Sequence, residues 1–169
     1  MIAGGTLDGG QTQNKLTEII DLVNNNFTIS IEQLPSTREA AVGAMFGDVP
    51  ILCGGGSQSE SHYFDSCISF QNSQWSQSHS MNELRGHAAG VQINSTTFWI
   101  LGGIGPTSVV GTANISDTTE FIIQDQTNGV SGPKLPFKLE GLCAVKLSET
   151  EIFVIGGWDG SGWSSKNMY

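Results

Sequence analysis

A short apolar stretch that ends in two consecutive glycines occurs four times in this chain of 169 residues. The glycine pairs begin at Gly4, Gly54, Gly102 and Gly156, so the intervals between them are 50, 48 and 54 residues. With 22 glycines a few such pairs arise by chance, but four that each close an apolar strand at near-even spacing do not. Self-similarity at a period of this size is typical of proteins built from stacked structural repeats.

A second element precedes each of the last three glycine pairs. Small-residue segments begin at Arg38, Arg85 and Glu140, which lie 16 or 17 residues before the first glycine of the next pair. Turn-forming residues separate these segments from the apolar strands: Gly47-Asp48-Val49-Pro50, Asn94-Ser95-Thr96 and Ser148-Glu149-Thr150. Each unit is therefore predicted to contain a small-residue strand, a hairpin turn and an apolar strand that ends in the glycine pair.

A third strand and then an aromatic residue follow the glycine pair. The segment 67–70 precedes Trp75 and the segment 17–21 precedes Phe27, whereas the segment 119–123 has no clear aromatic residue after it. Each unit is thus predicted to have four short strands of roughly 4–6 residues, the usual strand length. A content of 14% charged and 38% hydrophobic residues agrees with a packed all-β protein and argues against a helical bundle or a disordered chain.

This arrangement resembles the kelch repeat, in which an arginine precedes a small-residue strand and an apolar strand ends in Gly-Gly, with aromatic residues downstream. The segment Ile155-Gly156-Gly157-Trp158-Asp159-Gly160 matches it best, and the resemblance covers essentially the whole chain. It implies an all-β, kelch-type β-propeller fragment with four-stranded antiparallel blades. Glu140 stands where the repeat has arginine.

Structural roles follow for the glycine pairs and for one tryptophan. A glycine pair at a strand end allows positive φ and a close approach of neighbouring chain. Trp75 would supply apolar area between blades. The predicted structural residues are Gly4, Gly5, Gly54, Gly55, Gly102, Gly103, Gly156, Gly157 and Trp75.

We predict two full and two partial blades. Residues 1–37 would supply strands two to four of one blade, 38–84 and 85–138 would form full blades, and 139–169 would supply the first two strands of another. Propellers typically have 4–8 blades. We therefore expect a fragment of a longer protein, with further kelch repeats in the same parent chain. The alternative is a short open solenoid, whose exposed strand edges would invite aggregation.

Two sets of residues are candidates for binding a partner. The resemblance implies that Arg38 and Arg85 line a ligand-binding mouth, where a guanidinium suits an acidic or polar peptide. The alternative is that both arginines only tie one blade to the next through backbone carbonyls. Loops on a rigid scaffold are the second set, because binding residues concentrate there. Those loops contain Ser57, Gln58, His62, Tyr63, Trp158 and Trp163, for whose aromatic members packing between blades is the alternative.

The sequence contains no catalytic or metal-binding signature. His62, His79 and His87 fall in different segments, with packing expected for His87, and neither Cys-x-x-Cys nor Gly-x-Ser-x-Gly occurs. We therefore expect no metal, no cofactor and no enzymatic activity. The chain is predicted to be a protein-interaction module that binds a protein or peptide, and the resemblance implies the substrate-recognition part of a ubiquitin-ligase adaptor.

Two other classes of function stay open at this stage. One is a secreted or extracellular kelch protein, either carbohydrate-binding or an oxidase-like enzyme. The other is a cytoskeletal scaffold. A used disulfide between Cys53 and Cys67, which lie on neighbouring predicted strands, would favour the extracellular class.

Charge and cysteine content bear on the class of partner and on the cellular compartment of the protein. A net charge of −9 with seven scattered Lys and Arg residues argues against nucleic-acid binding, and no run approaches the ~18 apolar residues of a membrane helix. Three cysteines and an opening without the pattern of a secretory signal favour reduced thiols and a cytoplasmic location over secretion. Three glycosylation sequons begin at Asn26, Asn94 and Asn114, about the number that chance gives.

Overall fold

The computed structural model describes residues 2–7, 12–30, 32–57, 62–106, 113–163 and 167–168. Within these ranges all regular secondary structure is β-strand, and every pair of named strands that shares a ladder is antiparallel. The all-β prediction is confirmed, and so are its four-stranded antiparallel sheets. The same ranges hold no helix with the length and apolar character needed to cross a membrane.

The first sheet has three strands in the order β1-β4-β5. They are β1 (Ile2–Ala3), β4 (Thr17–Asp21) and β5 (Asn26–Ser30). A short hairpin of β2 (Thr6–Leu7) and β3 (Thr12–Gln13) lies between β1 and β4 in the chain.

The second and third sheets have four strands each and share one plan. In both, consecutive strands pair side by side, and a two-stranded hairpin is inserted between the second and third strands. The second sheet comprises β6 (Val42–Phe46), β7 (Val49–Cys53), β10 (Ser66–Gln71) and β11 (Gln74–Ser80), with the hairpin β8 (Gly56–Ser57) and β9 (His62–Tyr63). The third comprises β12 (Ala89–Asn94), β13 (Thr97–Leu101), β16 (Thr119–Ile123) and β17 (Val130–Ser131), with the hairpin β14 (Ile104–Pro106) and β15 (Ala113–Ile115).

The fourth sheet has the order β18-β19-β20, with β18 (Cys143–Lys146), β19 (Ile152–Ile155) and β20 (Asn167–Met168). In place of an inserted hairpin it has a single bridge between Trp158 and Trp163. The segments after the glycine pairs, which the sequence suggests are loops, are thus short β-ribbons in the first three sheets.

The apolar core lies between successive sheets. Strand β13 contributes to two clusters because alternate side chains of a strand point to opposite faces. Phe98 and Ile100 belong to the cluster between the second and third sheets, and Leu101 belongs to the cluster between the third and fourth. These three side chains are fully buried, and each contributes roughly 1.5–3 kcal/mol of burial free energy. The sheets are therefore held together face to face.

The glycine pairs form the joints between consecutive sheets. All eight glycines have positive φ. In the first three pairs the amide of the second glycine donates to the carbonyl of the residue that opens the next unit. These bonds are Gly5 to Arg38 at 2.8 Å, Gly55 to Arg85 at 2.9 Å and Gly103 to Leu139 at 2.8 Å.

This contact corrects the alignment of the repeats by one residue. Leu139, and not Glu140, occupies the position of Arg38 and Arg85. Glu140 corresponds instead to Glu39, because both residues bridge to the residue that follows the glycine pair of their own sheet. The spacing between the opening residue and the glycine pair gave the wrong residue for the last unit. The reason is that the hairpins differ in length and the β12–β13 ladder has an irregularity between residues 92 and 94.

We predict that Gly102→Ala destabilises the protein more than Gly47→Ala does. The two glycines have similar φ values of 61° and 57°, so the left-handed backbone costs either alanine about 1–2 kcal/mol. A Cβ at position 102 would also lie 2.5 Å from the carbonyl oxygen of Leu139, whereas one at position 47 meets nothing within 4 Å. The clash adds roughly 1–3 kcal/mol, which urea denaturation of both variants would measure. Equal losses would contradict the role of position 102 as a joint.

Candidate functional site

Both predicted binding arginines are buried. The Arg38 side chain is 3% exposed, and its guanidinium lies 4.0 Å from the centre of the Phe64 ring. Its Nη1 donates to the carbonyls of Gly54 at 2.8 Å and Ser66 at 2.9 Å, and its Nη2 lies 2.6 Å from the Ser66 hydroxyl. Arg38 thus joins the end of β7 to the start of β10 within its own sheet.

Arg85 makes the equivalent carbonyl contacts in the third sheet and forms ion pairs with Glu83 and Glu120. Its Nη1 donates to the carbonyls of Gly102 at 2.8 Å and Thr118 at 3.1 Å. Its Nη2 lies 2.8 Å from Oε1 of Glu120, and both side chains are 2% exposed. The backbone amide and the side chain of Asn82 donate to the other oxygen of Glu120.

The arginine contacts resemble the structural alternative more than a ligand-binding mouth. Each side chain holds the strands of one sheet together, while the carbonyl of the same residue accepts a bond from the preceding sheet. A direct binding role for Arg38 and Arg85 stays a prediction.

We predict that Arg85→Ala destabilises the protein by about 3–5 kcal/mol, because removing one partner of a buried ion pair leaves the charge of Glu120 desolvated. The double variant R85M/E120Q removes both charges of that pair, so it should lose less stability than Arg85→Ala. Chemical denaturation would compare the two variants with the unchanged protein. An equal or larger loss in the double variant would contradict the ion-pair argument.

A cleft of about 390 Å³ lies where the third and fourth sheets meet. We call it the aromatic cleft; it is lined by His87, Glu140, Gly141, Trp158 and Trp163. The two indole rings meet edge to face with their centres 5.4 Å apart. Trp163 is 77% exposed, so a large apolar ring is presented to solvent. An exposed aromatic ring at the rim of a concave surface is a common anchor for a binding partner.

Backbone hydrogen bonds fix the two tryptophans. Trp158 and Glu140 exchange both backbone bonds, at 3.0 and 2.8 Å. The turn between the tryptophans is closed by the Asp159 carboxylate, which accepts bonds from the amides of Ser161 and Gly162 and from the Ser161 hydroxyl. The cleft wall is therefore ordered without help from a ligand.

Two residues that line the cleft, His87 and Gly141, belong to a chain of backbone hydrogen bonds. The amide of His87 donates to the carbonyl of Ala40 at 3.0 Å, and the amide of Gly141 donates to the carbonyl of His87 at 2.8 Å. These three residues have φ values of 53°, 51° and 60°, and each lies two positions after the residue that opens its unit. The starts of three successive repeat units are thus joined by this chain of backbone hydrogen bonds through Ala40, His87 and Gly141, which we call the spine.

Negative charge from two carboxylates acts on Tyr63, at the same end of the sheets as the spine. Burial raises the pKa of Tyr63, and the charges of Glu140 and Glu39 raise it further. The Tyr63 ring lies against Gly86, next to the spine residue His87. Two carboxylates therefore act on this end of the sheets, and none of the described residues that line the aromatic cleft is lysine or arginine.

The other predicted binding residues lie in different surroundings. Ser57 is buried, with its hydroxyl 2.8 Å from that of Thr37. His62 is exposed and its ring meets the Phe64 ring edge to face at 4.3 Å. Gln58 lies outside the described residues. Of the predicted loop residues, Trp158 and Trp163 line the aromatic cleft.

Sequence reasoning missed His87 and Glu140 as members of a site. It expected His87 to pack in the interior, but the residue is exposed and lines the cleft. Glu140 was interpreted as a replaced arginine. The signal that could have found it is its equivalence to Glu39, which the corrected alignment gives.

Three further residues considered in the sequence analysis link parts of the structure. Trp75 Nε1 donates to the Thr17 hydroxyl at 3.0 Å, and so joins β11 of the second sheet to β4 of the first. Cys53 and Cys67 form a disulfide between directly paired positions of β7 and β10. The expectation of reduced thiols is therefore wrong for this pair, while Cys143 is free and exposed.

No protein-family model matches the chain, and no curated protein is significantly similar to it. The functional argument consequently rests on the geometry of the cleft.

We predict that Tyr63 titrates above the ordinary tyrosine pKa of about 10. Its ionisation is followed by ultraviolet absorbance in a Y169F background, which leaves Tyr63 as the one tyrosine. Glu140→Gln should lower the pKa of Tyr63, whereas Glu149→Gln, at a distant exposed position, should not change it. Because folding raises this pKa, the stability that the neutral phenol confers is intact below about pH 10 and is lost at higher pH. An unchanged pKa in Glu140→Gln would contradict the proximity of the two groups.

Proposed function

We propose that the chain is part of a kelch-type β-propeller that binds a protein partner through the aromatic cleft. The observation that carries the proposal is the exposed Trp163, held edge to face against Trp158 in a cleft that Glu140 also lines. The repeated four-stranded sheets and their glycine joints support the propeller part of the proposal. The ubiquitin-ligase adaptor that the resemblance implies would have reduced thiols, so the Cys53–Cys67 disulfide favours a partner met outside the reducing cytosol.

The chemistry of the cleft favours a basic peptide. A lysine or arginine side chain gains from the face of an indole ring, by about 0.5–1 kcal/mol at exposed sites, and from a nearby carboxylate. Glu140 supplies that carboxylate, and the net charge of −9 attracts cations at longer range. An acidic peptide would require accessible arginines, and Arg38 and Arg85 instead bond to groups of their own sheets.

A carbohydrate ligand is the second candidate. Indole rings offer flat apolar surfaces against which the C–H face of a sugar can stack. The Cys53–Cys67 disulfide favours this alternative, because disulfides persist in secreted and extracellular proteins.

We predict that a short peptide with one central arginine shifts the indole NMR signals of Trp158 and Trp163. A peptide with glutamate in place of arginine should bind more weakly, because it meets Glu140 with like charge. Trp163→Ala should weaken binding of the arginine peptide at least about tenfold, as loss of an aromatic hot spot does. Glu140→Gln should weaken it about 2- to 5-fold, the effect of an exposed ion pair.

Two surface variants away from the cleft serve as controls. Leu22→Ala removes another exposed apolar side chain, and Glu149→Gln removes another exposed carboxylate. Both should bind like the unchanged protein. A preference for the glutamate peptide, or full binding by Trp163→Ala, would overturn the proposal. Shifts caused by a neutral oligosaccharide and absent with both peptides would establish the second candidate instead.

A further inference from the structure

The hairpin turn between β12 and β13 presents a glycosylation sequon to solvent. Asn94, Ser95 and Thr96 are all exposed. The amide and the hydroxyl of Thr96 both donate to Oδ1 of Asn94, at 2.9 and 3.0 Å. These bonds engage the oxygen of the Asn94 carboxamide and leave its nitrogen, the atom that carries a glycan, on the outside of the turn.

The other two sequons differ in where their residues lie. Asn26 and Thr28 are both within β5, opposite Asp21 and Ile19 of β4. Asn114 is within β15, where it pairs with Gly105. The hydroxyl of Ser116, which follows that strand, contacts Glu83 and Thr118. Asn94 is the last residue of β12, and the Ser95 and Thr96 of its sequon form the exposed turn itself, the usual place for a glycan.

The disulfide provides an independent observation about the compartment. Cys53 and Cys67 are joined in the interior of the second sheet, next to the sheet that carries Asn94. Structural disulfides form in the oxidising lumen of the secretory pathway, which is also where sequons are glycosylated. The disulfide and an N-linked glycan would therefore be acquired in the same compartment.

We propose that Asn94 carries an N-linked glycan. The donor is a lipid-linked oligosaccharide diphosphate. The Asn94 Nδ2–C1 bond to the first sugar forms, the bond from C1 to the diphosphate oxygen breaks, and the amide proton leaves to the released diphosphate. No group is oxidised or reduced.

The fold leaves room for a glycan at this position. The turn is anchored by its backbone, since the Ser95 carbonyl accepts a bond from the Gly47 amide of the neighbouring sheet at 3.0 Å. Asn94 ends the strand that begins just after His87. Asn94 lies seven residue steps beyond His87, or roughly 20 Å at the rise of a strand. The glycan would thus project from the end of the sheet opposite the aromatic cleft, so the inference does not depend on the proposed function.

The first test uses the protein isolated from its own cells. Digestion with an N-glycosidase in heavy-oxygen water converts a glycosylated asparagine to labelled aspartate, which peptide mass spectrometry locates. We expect the label at Asn94 and not at Asn26 or Asn114. An unlabelled Asn94 would overturn the proposal.

The second test directs the chain into the secretory pathway of eukaryotic cells with an added signal peptide. The unchanged chain should lose apparent mass on deglycosylation. Asn94→Gln and Thr96→Ala should abolish this shift, whereas Thr96→Ser keeps the sequon and should retain it. Asn26→Gln and Asn114→Gln are matched controls that should also retain it. Electrophoresis without reductant would confirm that Cys53–Cys67 forms in every variant. A shift that disappears in a control and persists in Asn94→Gln would contradict the assignment.

Discussion

The hydrogen bond from the second glycine of each pair to the next unit is the contact on which the arrangement of the sheets depends. It recurs at Gly5, Gly55 and Gly103 with nearly constant length, and it uses backbone atoms on both sides. The opening residue can therefore be an arginine in two units and Leu139 in the third without loss of the joint. What the joint does require is a backbone with positive φ and no Cβ, because a methyl group at position 102 would meet the carbonyl of Leu139.

The buried arginines are best understood as a consequence of this joint. The glycine pairs at Gly54 and Gly102 each direct a carbonyl into the interior, and a buried carbonyl must be hydrogen-bonded. Arg38 and Arg85 meet that requirement by donating to Gly54 and Gly102, and the same guanidinium groups reach the start of the third strand. The charge of Arg85 is in turn compensated by Glu120. The recurrence of arginine at the start of these two units is thus explained by its hydrogen bonds to buried carbonyls and requires no ligand.

The sequence predicted the local elements well because they depend on local chemistry. Small-residue and apolar segments with turn-forming residues between them placed the strands, and the glycine pairs placed the joints. The position of Glu140 was missed because a one-residue difference between hairpins changes the alignment without changing the pattern of small residues. The aromatic cleft was missed because it depends on tertiary packing, which brings His87 of one unit to Trp163 of the next. Spacing along the chain contains no information about that distance.

Backbone strain gives the cleft a physical origin. Ala40 and His87 hold left-handed conformations that cost residues with a Cβ about 1–2 kcal/mol each, and they persist because the spine bonds link them to each other and to Gly141. The spine residues turn the chain sharply just before each small-residue strand begins. At His87 this turn places the side chain at the surface. At His87 the result is an imidazole beside two indoles instead of in the core. A binding surface at this end of the sheets is therefore built from the same backbone geometry that joins one sheet to the next.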